Sequence, residues 1–101
     1  MSDSLDDHYY RQSQHVTTFW RKKQLEKLEN LGLKAIDEGN WYPTIYQTLA
    51  MLYRKQKRYP EEAKVLKIGI ERNQKNPGVA KRDFAKRLTR VQQLIESSKP
   101  R

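Results

Sequence analysis

From Val16 to Ile95 the apolar residues recur at steps of three and four, and that spacing is the period of a helix buried along one side. Val16, Phe19, Trp20, Leu25, Leu28, Leu31, Ala35 and Ile36 make a first stripe. Ala80, Phe84, Leu88, Val91 and Ile95 make the last and most regular one, with Arg82, Lys86 and Gln93 close to the opposite side. Hydrophobic residues are 36% of the chain, charged residues 33%, and the mean hydropathy is −1.06. A chain this polar has a thin core, laid down as stripes. Leu, Lys, Arg, Glu, Gln and Ala, all good helix formers, dominate over Val, Ile and Thr. The expected fold class is all-α, and 101 residues make one domain at most.

Gly and Pro divide the pattern. A helix is expected over about 17–38, ended by Gly39-Asn40, with Gly32 inside it as a point of close crossing. Pro43 suits the first turn of a second helix, whose buried side is Ile45, Tyr46, Leu49, Ala50, Leu52 and Tyr53. Pro60, followed by Glu61 and Glu62, opens a third with Ala63, Val65, Leu66, Gly69 and Ile70 inside. Asn76-Pro77-Gly78 stops it before the fourth. The expectation is about four antiparallel helices in a single domain over 16–97, with a tail at 98–101. Residues 1–15 are acidic and poor in apolar groups. They are expected to form a flexible arm, although Ser4 with Asp7 suits a capping box and Leu5, Tyr9, Gln12 and Val16 have helical spacing.

Charge and composition exclude several functions. There is no cysteine, hence no disulfide and no thiolate metal site. An acidic start with no apolar stretch behind it, and no run of membrane-spanning length, predict a cytoplasmic protein. His8 and His15, beside Asp3, Asp6 and Asp7, offer at best two ligands on one helical face, too few for a structural metal site. No nucleophile–base pair and no phosphate-binding glycine loop is present. The reading is a non-enzymatic protein with no cofactor and no metal.

The stretch from Tyr46 to Gly69 resembles a tetratricopeptide repeat. Tyr46, Leu49, Ala50 and Tyr53 match the aromatic, leucine, small and tyrosine positions of that motif's first helix. Tyr59 matches the aromatic near the turn, and Leu66 and Gly69 match the large and small positions of the second helix. The match departs at Lys57, where the motif usually has Gly, at Glu62, where it wants a small residue, and at Pro77, which arrives late. It covers about one 34-residue unit, a third of the chain, in the divergent form found in small bacterial and phage proteins of unassigned role. A single unit leaves its apolar face open, so the flanking helices are expected to cover it.

The resemblance implies a binding surface on the first helix of the pair, at Thr44, Gln47, Met51, Arg54 and Lys55. Gln47, Met51 and Lys55 share one stripe, suited to a protein or peptide partner with an acidic side. Met51 stands where the family's carboxylate-binding arrangement has an amide, so that arrangement is not expected. The alternative follows from the net charge of +9, of which residues 41–76 and 77–101 each carry +5. Arg54, Lys55, Lys57 and Arg58, with Lys81, Arg82, Lys86, Arg87 and Arg90, then form a basic patch for nucleic acid, with Tyr53 and Tyr59 as stacking platforms. A third reading is a homo-oligomeric structural protein joined through Phe19, Trp20 or Met51. In each case solvation of an ordinary helix face is the plain alternative.

Overall fold

The computed structural model describes residues 4–74 and 79–99, and of 79–81 the backbone alone. Five helices lie among the described residues: α1 (Leu5–Arg21), α2 (Leu25–Asp37), α3 (Pro43–Lys55), α4 (Tyr59–Arg72) and α5 (Val79–Ser98). The expected stop at Asn76-Pro77-Gly78, and with it the departure at Pro77, falls outside the described residues, as does the side chain of Lys81.

Two expectations are corrected here. The helix expected over 17–38 is two helices, broken at Lys22–Gln24, because Lys23 takes a left-handed conformation with φ +59°. The arm expected over 1–15 is helical from Leu5 onward and packs on the rest. Ser4 caps it, its Oγ accepting the Asp7 N–H at 3.1 Å, and Asp6 and Asp7 sit in the first turn where anions are favoured. Its buried side is largely polar: Tyr9, Gln12 and Ser13 come before Val16. An apolar count cannot see such a face.

Polar groups hold α1 in place. The Tyr9 hydroxyl donates to Glu38 O at 2.7 Å, and Asn40 Nδ2 donates to Tyr9 O at 3.1 Å and to Gln12 Oε1 at 2.9 Å. Asn40 is fully buried, so these bonds satisfy groups that are expensive to leave bare. The Tyr46 hydroxyl donates to Asn40 O, and Arg72 reaches from α4 to Ile36 O at 2.7 Å. The α2–α3 corner is thereby tied to α1, α3 and α4.

Each of the three turns that follow α1, α2 and α3 closes in the same way. Lys23, Gly39 and Lys57 have φ of +59°, +94° and +58°. The next residue's N–H donates back five positions, Gln24 to Phe19 O, Asn40 to Ala35 O and Arg58 to Tyr53 O. These are Schellman caps, which satisfy carbonyls a helix end leaves open. Lys23 and Lys57 stand 34 residues apart, so the α1–α2 and α3–α4 hairpins turn through equivalent positions.

The packing repeats as well. α1 lies against α2 and α3, α2 against α3, α3 against α4 and, at its edge, α5, and α4 against α5. Small residues set the close crossings. A Cβ built on Gly32 would lie 2.7 Å from Leu49 Cδ1, and one on Gly69 would lie 2.9 Å from Tyr46 Cβ. The molecule is a slab of 58 × 31 × 20 Å, and 20 Å is two helices thick.

Candidate partner-binding groove

α1 and α3 run side by side in the same direction and leave a trough between them. At one end Thr44 shares a depression of ≈ 590 Å³ with Tyr10, Ser13, Gln14, His15, Thr17, Thr18 and Arg21. At the other end Lys55 shares a second one, of ≈ 280 Å³, with Trp20, Arg21, Lys23 and Leu25. Arg21 belongs to both. From α3, Thr44 and Lys55 line the two depressions, and Gln47 and Met51 stand between them on the same stripe at 3, 4, 4 spacing, the α3 wall. Tyr10, Gln14, Thr18 and Arg21 form the α1 wall at 4, 4, 3 spacing, about 16 Å from first to last.

The trough is polar and mostly uncharged. Thr17 and Thr18 donate their hydroxyls back to Ser13 O and Gln14 O, while Gln14 Nε2 donates to the Tyr10 hydroxyl at 2.9 Å. Half-exposed Tyr10 lies 6.0 Å from the Tyr42 ring, which stacks on Trp41 at 4.4 Å. Trp41, at the α2–α3 corner, is 38% exposed. Tyr42 donates to Asp6 Oδ1 at 3.1 Å, and burial, that bond and the Asp6 and Asp7 charges push its pKa up. The trough runs from this aromatic, acidic end to a basic one at Arg21, Lys23 and Lys55.

Of the expected surface, Gln47 and Lys55 are exposed and Thr44 and Met51 half-buried. Arg54 is turned elsewhere. Its Nε donates to the fully buried Glu62 at 2.7 Å, and a second nitrogen donates to Arg87 O at 3.3 Å. Arg87 Nε lies 3.2 Å from the other Glu62 oxygen, so one carboxylate is held between α3, α4 and α5.

Arg58 leaves the expected basic patch in the same way. It donates to both oxygens of Glu29 at 3.0 and 2.7 Å and to Glu61 at 2.8 Å, and lies over the Tyr53 ring at 4.6 Å. Bonds to Glu61 and Glu29 hold its guanidinium charged, and Arg58 in turn pulls the Glu29 carboxyl below the usual range. Tyr53 is buried and donates to Glu29, and burial foremost pushes its pKa well up; it is no stacking platform. Tyr59 is half-buried against the core. Lys57 stands in a turn, and Arg82, Lys86 and Arg90 are exposed along α5. Phe19, Trp20 and Met51 are each half-buried, with Lys55 Nζ 5.8 Å from the Trp20 ring.

The α1 wall escaped the sequence reading because 1–15 looked like an arm. The signal was the spacing of Tyr10, Gln14, Thr18 and Arg21, which matches a helical face but contains no aliphatic residue. Among the described residues no three His, Asp or Glu are grouped as a metal site would need, and no helix is long and apolar enough to cross a membrane. No family model, curated protein or solved structure matches this chain.

Proposed function

We propose that the protein is a non-enzymatic binding module, a short tetratricopeptide-like stack whose α1–α3 trough takes a peptide segment of a protein partner. The observation that carries this reading is the trough itself, about 16 Å long, walled by equivalent helices of successive hairpins and lined by polar and aromatic side chains. The repeat reading is supported by the 34-residue separation of Lys23 and Lys57, which is the length of such a unit. On this reading the hairpins α1–α2 and α3–α4 are two units and α5 caps the second. The departures have counterparts in the geometry: Lys57 adopts the left-handed turn usually given to Gly, and Glu62 is neutralised by Arg54 and Arg87.

Nucleic acid is the weaker reading, because Arg54, Arg58 and Arg87 are spent on buried or half-buried carboxylates. The two are separated by placing a photo-crosslinker at Gln47 in the trough, or at exposed Lys67 on α4 as control, and capturing from native lysate with and without nuclease. A discrete protein crosslinked from Gln47 alone, and retained after nuclease, is expected. Recovery that vanishes with nuclease would replace the trough by the exposed α5 cations.

A further inference from the structure

We propose that the depression between Trp20 and Lys55 is an anion subsite that takes the phosphate of a phosphorylated side chain on the peptide partner. This rests on the trough reading for the peptide, and on its own geometry for the phosphate.

Arg21, Lys23 and Lys55 surround the depression, Trp20 and Leu25 complete it, and no carboxylate lines it. Among the described residues no Asp or Glu forms an ion pair with any of these three cations, whereas Arg54, Arg58 and Arg87 are all paired. Cations gathered without a counter-ion repel one another, and an anion between them removes that repulsion.

The backbone adds to the charge. α2 starts at Leu25, its N-cap Gln24 makes no side-chain cap bond, and Leu28 is the first residue whose N–H finds a helical acceptor, Gln24 O. The N–H groups of Leu25, Glu26 and Lys27 therefore precede the ladder at the positive end of the helix. Glu26 is exposed and does not line the depression.

Three cations and a helix start suit a dianion better than a single carboxylate, and a phosphate monoester carries close to two charges at neutral pH. The rest of the trough identifies its carrier. Beyond Arg21 the α1 wall continues through Thr18, Gln14 and Tyr10 without a lysine or arginine, with His15 the one basic side chain on that depression besides Arg21, and Asp6 lies past Tyr10, bonded to Tyr42. A nucleic-acid strand carries a charge on every nucleotide and would set its later phosphates against neutral groups and then a carboxylate. A peptide with one phosphorylated residue followed by neutral polar ones meets no such mismatch.

The test is an amide and indole chemical-shift titration of the full chain with inorganic phosphate, at constant ionic strength. Saturable shifts are expected at Lys23, Gln24, Leu25, Glu26 and the Trp20 indole, with acetate binding far more weakly. Lys23→Gly is the informative variant, since it removes a cation and relieves a positive φ: it is expected to melt higher and to bind phosphate about tenfold more weakly. Unsaturable shifts, acetate as strong as phosphate, or unchanged binding in Lys23→Gly would overturn the subsite. A display-selected peptide, compared in phosphoserine and serine forms, then tests the carrier. Tighter binding of the phosphoserine form, lost in Lys23→Gly, is expected. Equal binding of both forms overturns the subsite and leaves the trough. Phosphate binding without any peptide binding overturns the carrier, as does an oligothymidylate that outcompetes the phosphopeptide.

Discussion

Arg54 and Glu62 form a pair at 2.7 Å in which the carboxylate is wholly buried and the guanidinium partly exposed, joining α3 to α4 in the middle of the stack. The pair explains how a charged residue is accommodated at a fully buried position of α4. Arg87 completes the arrangement from α5, so the same carboxylate also fixes the last helix.

Removing one partner leaves a buried charge short of compensation. Arg54→Ala is expected to destabilise the fold by about 3 kcal/mol in urea unfolding, and Glu62→Gln by about 1–3 kcal/mol. Arg54→Met, Glu62→Leu and Arg87→Met combined are expected to recover most of the loss, because the whole ionic group is then replaced by apolar contact. Additive losses in the triple variant would show that Glu62 serves something other than this packing.

Lys57 holds a backbone conformation that favours glycine. Lys57→Gly is expected to stabilise by about 0.5–1 kcal/mol, raising the melting temperature by roughly 2–8 °C. The converse, Gly39→Ala at φ +94°, is expected to destabilise by about 1 kcal/mol or more. A thermal melt of each variant decides this.

The two close crossings differ in what they can yield. At Gly69 an added methyl meets Tyr46 Cβ and Cγ at 2.9 Å, next to the α3 backbone. At Gly32 it meets Leu49 Cδ1, Cγ and Cδ2 at 2.7, 2.8 and 2.9 Å, all side-chain atoms beyond Cβ. Gly69→Ala is therefore expected to lose about 1–3 kcal/mol, and Gly32→Ala less, since its neighbour can give without moving the α3 backbone. Equal losses in urea titrations would contradict the difference in geometry.

Ionisation sets the limits of stability with pH. Burial raises the pKa of Tyr46 and Tyr53 in the folded chain above the unfolded value near 10. Their contribution is complete below that value and is lost as pH rises through the folded one, because the unfolded chain gives up its protons first. The Glu29 carboxyl is lowered by Arg58 first and then by Tyr53, so its contribution is complete above about pH 4.3 and is lost as pH falls through the folded value. Urea midpoints measured across pH are expected to fall at both ends. Tyr53→Phe is expected to flatten the alkaline fall and Glu29→Gln the acid one.

The helices from Pro43 onward could be read from the sequence because prolines, glutamates and a regular apolar stripe all marked them. α5 was legible from its regular apolar stripe, Phe84, Leu88, Val91 and Ile95. The break at Lys22–Gln24 was not, because nothing in Lys-Lys-Gln announces a left-handed residue where glycine would. α1 was missed because its buried face is Tyr9, Gln12 and Ser13, and what holds it is Asn40, thirty residues away. The α3 wall of the trough, Thr44, Gln47, Met51 and Lys55, was legible from helical spacing. Arg54 was not separable from it, because its true partner, Glu62, reads from the sequence as an ordinary residue of a helix start.

Whether the α1–α3 trough binds a peptide is tested by the affinity of a display-selected peptide for variants of its walls. Met51→Glu and Gln47→Glu are expected to weaken binding about tenfold or more with helicity unchanged by circular dichroism, while Lys67→Glu on α4 leaves it intact. Binding unchanged in Met51→Glu and Gln47→Glu, or lost equally in Lys67→Glu, would contradict the trough.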